Sequence, residues 1–389
     1  MKIGFLTPEY PHEKTGNSGG LGTSIKNLAH ALSALGHEVV ILIYGQKQDA
    51  VFLDKAIEVH QIKNIKIKGL SWYFTRKKIE KIINSLYDKN KIEIVEATDW
   101  TGITSFIKPK KCPIVIKLNG SDTYFCHLDK RPVKWINKFH EKRALQNADA
   151  HISVSDYTAK MTNQVFNHNH NFTIIHNGID MRLFEKSNVI SSEKSDVILY
   201  FGTLIRKKGL LELPHAFNSV HEKNPNAQLV LVGKDASDII SGNPSTWQMM
   251  QNLFTPSALE KVTYFGPVAY SEVRKQIEKA TVCVFPTYAE ALPVSWLEAM
   301  AMEKAIVASN IGWGNEIVEN SISGFLAHPS DHQEYADRIL QLLADSTLRE
   351  NMERKARTRI LTHFEINLIA NQNLNFYQKI LSQEKNKSL

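Results

Sequence analysis

The sequence is short of cysteine: Cys112, Cys126 and Cys283 are three thiols in 389 residues. They are scattered, odd in number and without metal-type spacing. That excludes a disulfide framework and a thiolate zinc site, and it points to a reducing compartment. Long apolar runs are missing too. No stretch approaches the roughly 18 consecutive apolar residues of a spanning helix. The opening MKIGFLTPEYPHEK is too short in its apolar part for a signal peptide and is interrupted by proline. A cytoplasmic protein is expected, with association at the inner face of a membrane left open. There is no short repeat, no low-complexity tract and no nucleic-acid recognition module. The glycines at 16, 19, 20 and 22 are out of register for a dinucleotide fingerprint. No Asp-x-Asp pair stands ready to hold a metal on a diphosphate, since DASD (235–238) has the wrong spacing.

What is present is the balance of a globular protein, 43% hydrophobic and 22% charged, with a formal net charge of +7 and a pI near 9.0. That charge suits an anionic ligand or an acidic membrane surface. The length exceeds one ordinary core and fits two. Short apolar runs alternate with helical patterns: KIGFLT, an amphipathic LGTSIKNLAHALSALG, HEVVILIYG, then IEIVEAT, CPIVIKLN, AHISVS and FTIIHN. The rhythm restarts with VILYFG, AQLVLVG, VTYFG, TVCVFP, KAIVAS and GFLAH. This predicts α/β architecture, two doubly wound Rossmann-like domains with parallel sheets and ligands at strand carboxyl ends facing a central cleft. The expected division is 1–180, 181–365 and a C-terminal helix over 366–389 returning toward the first domain. The polar passage 185–196 is the candidate linker.

Three stretches carry chemistry. In EALPVSWLEAMAM (290–302), Glu290 and Glu298 bracket apolar residues after a buried strand. Pro293 rules out one continuous helix, so Glu290 is expected in a loop and Glu298 about a turn inside a helix starting near Pro293. The first-turn amides of that helix suit a phosphate, and the two carboxylates suit sugar hydroxyls on either side of it. The same residues also fit a plain reading, with Glu290 a cap and Glu298 on the surface. GTLIRKKGLLEL (202–213) sets Arg206, Lys207 and Lys208 at a strand-loop-helix mouth, where cations neutralise a diphosphate or simply face solvent. GNSGGLGTSIKNLA (16–29) offers Gly19, Gly20 and Gly22, whose backbone can approach an anion or form an ordinary loop.

The order of these pieces resembles the retaining GT-B glycosyltransferases of the family 4 type over nearly the whole length. EALPVSWLEAMAM is similar to that family's Glu-x7-Glu segment, GTLIRKKG to its Gly-Arg…Lys-Gly loop, IHNGIDMRLF to its interdomain segment and SGFLAHPSD to a later loop. GGLGTSIKNLAHALSALGHEVVIL and EKRALQNADAHISVS resemble parts of its first domain. The resemblance implies transfer of a hexose from a UDP- or GDP-linked sugar to a glycan or lipid-linked glycan, in surface polysaccharide assembly. It implies no cofactor, no metal and no protein nucleophile. It implies that Lys208 holds the diphosphate, Glu298 the ribose and Glu290 the transferred sugar. The backbone at Ala291, Leu292, Pro293 and Val294 would meet the phosphates, with Gly19 and Gly20 approaching from the other domain, and Val268 would lie by the base. Two departures stand out. Thr203 replaces the family's arginine, leaving Arg206 to supply that charge, and Asn119 stands where many members have histidine. These departures keep alive a catalytically idle nucleotide-sugar binder, and a GT-B sugar-nucleotide epimerase is the enzymatic alternative.

On the acceptor side, VEATDWTGI places Asp99 and Trp100 at a strand end, a carboxylate beside an indole that suits a sugar. KIKGLSWYFTRKKIEKI (66–82) mixes Trp72, Tyr73 and Phe74 with lysines and arginine, as a dock for an anionic membrane or as core packing with a solvated basic helix.

Overall fold

In a computed structural model of the chain, which describes residues 1–16, 18–184 and 196–387, the strands gather into two sheets. The first comprises β1 (Lys2–Thr7), β2 (Glu38–Gln46), β3 (Ala50–Asp54), β4 (Ile57–Lys63), β5 (Ile94–Thr98), β6 (Ile114–Leu118), β7 (Ala150–Ser153) and β8 (Thr173–Ile174). Their order across the sheet is β3-β4-β2-β1-β5-β6-β7-β8. The second comprises β9 (Val197–Phe201), β10 (Gln228–Val232), β11 (Val262–Tyr264), β12 (Val282–Phe285), β13 (Ala305–Ser309) and β14 (Phe325–Ala327), in the order β11-β10-β9-β12-β13-β14. Apart from Asp196, the expected linker over 185–196 lies outside the described residues.

Pairing is parallel except at one edge, where β3 runs antiparallel to β4. The rhythm of the sequence does not reveal this hairpin, and the expectation of an all-parallel first sheet is corrected here. Its turn places Lys55 at φ 56° without the glycine or asparagine that usually marks such a bend. The edge strand also turns Val51 and Leu53 to solvent.

Contacts divide the chain into one unit of Met1–Asp180 with Phe364–Leu389 and another of Met181–His363. In the first unit the period of two along a strand sorts the core onto the two faces of the sheet. Ile3, Phe5, Val39 and Ile41 pack on one face with Leu28 and Leu32 of helix Gly20–Ala34, while Leu6, Val40 and Leu42 pack on the other with Ile79 and Ile83. Helix Ile366–Lys387 belongs to that first face through Ile366, Ile369 and Tyr377, and the Tyr377 hydroxyl donates to the buried Glu96 carboxylate at 2.6 Å. Two backbone bonds pin the return: Ile179 N donates to Phe364 O and Ile366 N to Ile179 O. In the second unit β12 and β13 are buried along their whole length, as expected of parallel strands covered on both faces.

Each sheet order contains a reversal. From β9 the chain steps outward to β10 and β11, then returns to place β12 on the other side of β9. From β1 it steps to β2, then later places β5 on the opposite side. At such switch points the loops leaving neighbouring strands diverge and open a crevice beyond their carboxyl ends.

Candidate functional site

The crevice of the second unit lies between the loop after β9 and the loop after β12. Three contacts clamp these loops together. The carbonyl of Lys207 accepts from Tyr288 N at 2.8 Å and Ala289 N at 3.1 Å. Gly209, at φ +72°, lets the chain pass so close to Pro286 that an added Cβ would lie 1.7 Å from its carbonyl oxygen. The clamp brings the Lys208 ammonium onto the Glu290 carboxylate as an ion pair. Burial pushes the Glu290 carboxyl up, but the ammonium groups of Lys208 and Lys207 outweigh it and hold it below the usual range.

Helix Val294–Ala301 then starts with Pro293 as its N-cap and no side chain capping its first turn. Ala291 and Leu292 are buried, Pro293 is likewise packed inward, and Val294 is half-buried, so this stretch offers its backbone rather than its side chains. Glu298 sits on the second turn of that helix. Burial pushes its carboxyl up to about 7 against two opposing influences, the Tyr270 hydrogen bond and the charge of Lys208. Glu290, Lys208 and Glu298 are thus one electrostatic group. Val268 is half-buried two residues before Tyr270, in the loop between β11 and helix Tyr270–Lys279.

Thr203 is exposed, and its carbonyl accepts from the Tyr200 hydroxyl at 2.9 Å. Arg206 does not hold out a free charge. Its guanidinium is bidentate on the buried Asp238, Nε at 2.8 Å and Nη2 at 2.7 Å, and that pairing holds the Asp238 carboxyl far below the ordinary range. Arg206, expected to supply the charge absent at Thr203, thus carries a fixed counterion at the mouth of this loop.

In the first unit the analogous crevice gathers Glu9 after β1, Asp99 after β5 and Asn119 after β6. Gly19 caps helix Gly20–Ala34, but its amide and that of Gly22 already donate to the Glu9 carboxylate, at 3.3 and 2.9 Å. An anion there therefore meets a carboxylate as well as the amides near Gly20. Asp99, expected at a strand end beside Trp100, does follow β5, and its side chain is buried. Its Oδ1 accepts from Asn119 N at 2.9 Å and its Oδ2 has no hydrogen-bond partner among the described residues. Burial pushes this carboxyl up to about 7 against the Asn119 amide, with Glu141 adding to the rise. Asn119 is half-buried, its Nδ2 donating to Lys117 O at 3.2 Å, and Trp100 is exposed.

Sequence reasoning missed Glu9, Tyr270 and Asp238. The last stood in DASD, set aside as a metal motif; its acidic charge opposite a basic loop was the available signal. Asp235 of the same stretch accepts from Ser245 Oγ and Trp247 N, bracing the loop after β10.

Two Rossmann-like units, with a lysine and two glutamates at the switch point of the second, define a GT-B glycosyltransferase. The family model described as Glycosyl transferases group 1 matches residues 182–359, and that described as Glycosyltransferase Family 4 matches 18–183. The chain is a glycosyltransferase of the family 4 type. It is 25% identical to an uncharacterized glycosyltransferase of Methanocaldococcus jannaschii, across 97% of this chain and 98% of that one. Sucrose-phosphate synthase from Thermosynechococcus elongatus superposes with a TM-score of 0.79 at 20% identity, covering 98% of this chain and 100% of the other. HepE of Anabaena in complex with UDP gives 0.73 at 18% identity, covering 97% and 100%.

Proposed function

We propose that the protein transfers a hexose, with retention of configuration, from a UDP- or GDP-linked sugar to a glycan or lipid-linked glycan in surface polysaccharide assembly. The observation that carries this reading is the group of Lys208, Glu290 and Glu298 at the crevice between β9 and β12. Glu298 accepts from the ribose hydroxyls and Glu290 from hydroxyls of the sugar. The Lys208 ammonium and the backbone over Leu292–Val294 take the diphosphate between them, balancing the charge of the leaving group without a metal ion. The bond from the anomeric carbon to the phosphate oxygen breaks and the acceptor oxygen bonds to that carbon on the same face. The acceptor proton passes to the departing phosphate, so no protein nucleophile takes part. The UDP complex of HepE supports a uridine donor. On the acceptor side, Asp99 holds the Asn119 loop in place, and Asn119 and Trp100 meet the incoming glycan.

Release of UDP or GDP from a panel of nucleotide sugars, assayed without acceptor, tests the proposal. Turnover with at least one donor, lost in Lys208→Ala and Glu290→Ala, is the expected result. Tight binding with no release from any donor overturns it.

A further inference from the structure

The aromatic and basic stretch near residue 72 enters the core only in part. In helix Ser71–Asp88 the buried face is Thr75, Arg76, Ile79, Ile83 and Leu86, whereas Trp72 and Phe74 in the first turn are 39% and 38% exposed. Trp72 instead meets Phe106, at the end of the 3-10 segment Trp100–Phe106, with ring centroids 5.2 Å apart. Phe106 in turn meets Phe139 of helix Trp135–Asn147 at 6.3 Å. The Arg76 guanidinium locks the first two elements by donating to the carbonyls of Gly102 and Ile103. Three segments distant in sequence thus form one aromatic ridge.

Helix Trp135–Asn147 shows what the ridge is for. Its inner face is His140, Glu141, Ala144 and Leu145. On the outer face Trp135, at 77% exposed, and Phe139, at 45%, stand one turn apart, with Ile136 beside them. Alongside runs a lysine stripe at the same four-residue spacing, Lys134, Lys138 and Lys142. The one acid between 130 and 143, Glu141, is buried and turned away, accepting from the amides of Asp122 and Thr123. The loop before Trp72 extends the pattern, with Lys66 and Lys68 flanking an exposed Ile67. A solvent-facing helix does not gather tryptophan, phenylalanine and isoleucine without a partner. Aromatic side chains rimmed by lysines match the boundary of an anionic bilayer, where rings enter the headgroup region and ammonium groups meet phosphates.

We propose that this ridge docks the protein on an anionic phospholipid surface. No helix among the described residues is long and apolar enough to cross a membrane, so the contact is peripheral. Helix Ser71–Asp88 and the segment Trp100–Phe106 follow the carboxyl ends of β4 and β5, and helix Trp135–Asn147 follows helix Asp122–Leu128 in the connection after β6; this is the edge of the sheet that carries Asp99 and Asn119. The inference rests on the proposed function in one respect: it gives the acceptor a lipid anchor, held at the surface where that edge is applied.

The test is co-sedimentation of the full chain with vesicles of phosphatidylcholine, with and without phosphatidylglycerol. Binding is expected only with phosphatidylglycerol, falling at least about tenfold in Lys134→Glu/Lys138→Glu and in Trp135→Ser/Phe139→Ser, and falling with added salt. Equal binding by the variants, or no binding to phosphatidylglycerol vesicles, overturns the proposal. So does sedimentation velocity showing a dimer that Trp135→Ser/Phe139→Ser abolishes, which would assign the ridge to a second copy. Donor hydrolysis is read in the same samples without vesicles. Turnover without vesicle binding refutes the dock alone, and vesicle binding without turnover refutes the enzymatic reading alone.

Discussion

The phenolic hydroxyl of Tyr270 donates a 2.7 Å hydrogen bond to Oε1 of Glu298, across 28 residues of sequence. The bond fills one acceptor position of a carboxyl that burial has already pushed up to about 7. Ribose hydroxyls bind best to the ionised form, so affinity for UDP should strengthen as pH rises through about 7. In Glu298→Gln that step should vanish and affinity should drop by about tenfold. Calorimetric titration of both proteins across this pH range checks it; identical pH profiles would remove Glu298 from the ribose site.

The same raised carboxyl has a cost for folding. In acid both folded and unfolded chains carry the proton and the group is neutral in its effect. As pH rises from about 4.5 to about 7 the unfolded chain gives up the proton while the folded form keeps it, so stability declines across that interval and levels off above it. Glu298→Gln should therefore melt higher than the parent above pH 7 and not in acid, as read by thermal denaturation.

Lys208 and Glu290 should behave as a pair. Removing the ammonium leaves a buried carboxylate with less compensation and a leaving group with less charge balance. Lys208→Ala should lower kcat for donor hydrolysis by about 100-fold. Glu290→Gln should act mainly on kcat, and the double variant should lose less than the product of the two. A strictly multiplicative double-mutant cycle would count against the coupling.

Arg206 and Asp238 make a different prediction. Arg206→Ala leaves the buried Asp238 carboxylate without its counterion, with only the Ser241 hydrogen bonds remaining, and should destabilise the second unit by about 1–3 kcal/mol. Because the Asp238 carboxyl is held below its ordinary range, its contribution is present at neutral pH and is lost as pH falls below about 4. Asp238→Asn should flatten that acid limb in melting curves, whereas KM for the donor should change little. A large rise in KM in Asp238→Asn would mean that the pair reaches the diphosphate after all.

Gly209→Ala tests the clamp between the two loops. A side chain at φ +72° with Pro286 O at 1.7 Å forces the loop after β9 away from that after β12. Donor hydrolysis should fall with the loss of the Lys208–Glu290 contact, alongside a lower melting temperature.

The repeating strand-helix pattern was legible because parallel strands buried on both faces read as apolar runs bounded by turns. So was the place of Glu290 and Glu298, because Pro293 fixes where a helix can start. Partnerships were not legible. Arg206 finds Asp238 across 32 residues, and Tyr270 reaches Glu298 through a loop whose path no local pattern encodes. The place of Asp99 at the end of β5 was legible, but its acceptance from the Asn119 amide at the neighbouring strand end was not. The β3–β4 hairpin escaped because its turn lacks the usual residues.

Helix Ile366–Lys387 supplies Ile366, Ile369 and Tyr377 to the same packing as Ile3 and Phe5. On the ribosome the second unit emerges before that helix does. The part of the first unit that is translated earliest must therefore wait, with one face of its sheet covered by helix Gly20–Ala34 but not yet by helix Ile366–Lys387, until the second unit has been made. Chaperone dependence during translation should concentrate there, on the amino-terminal half.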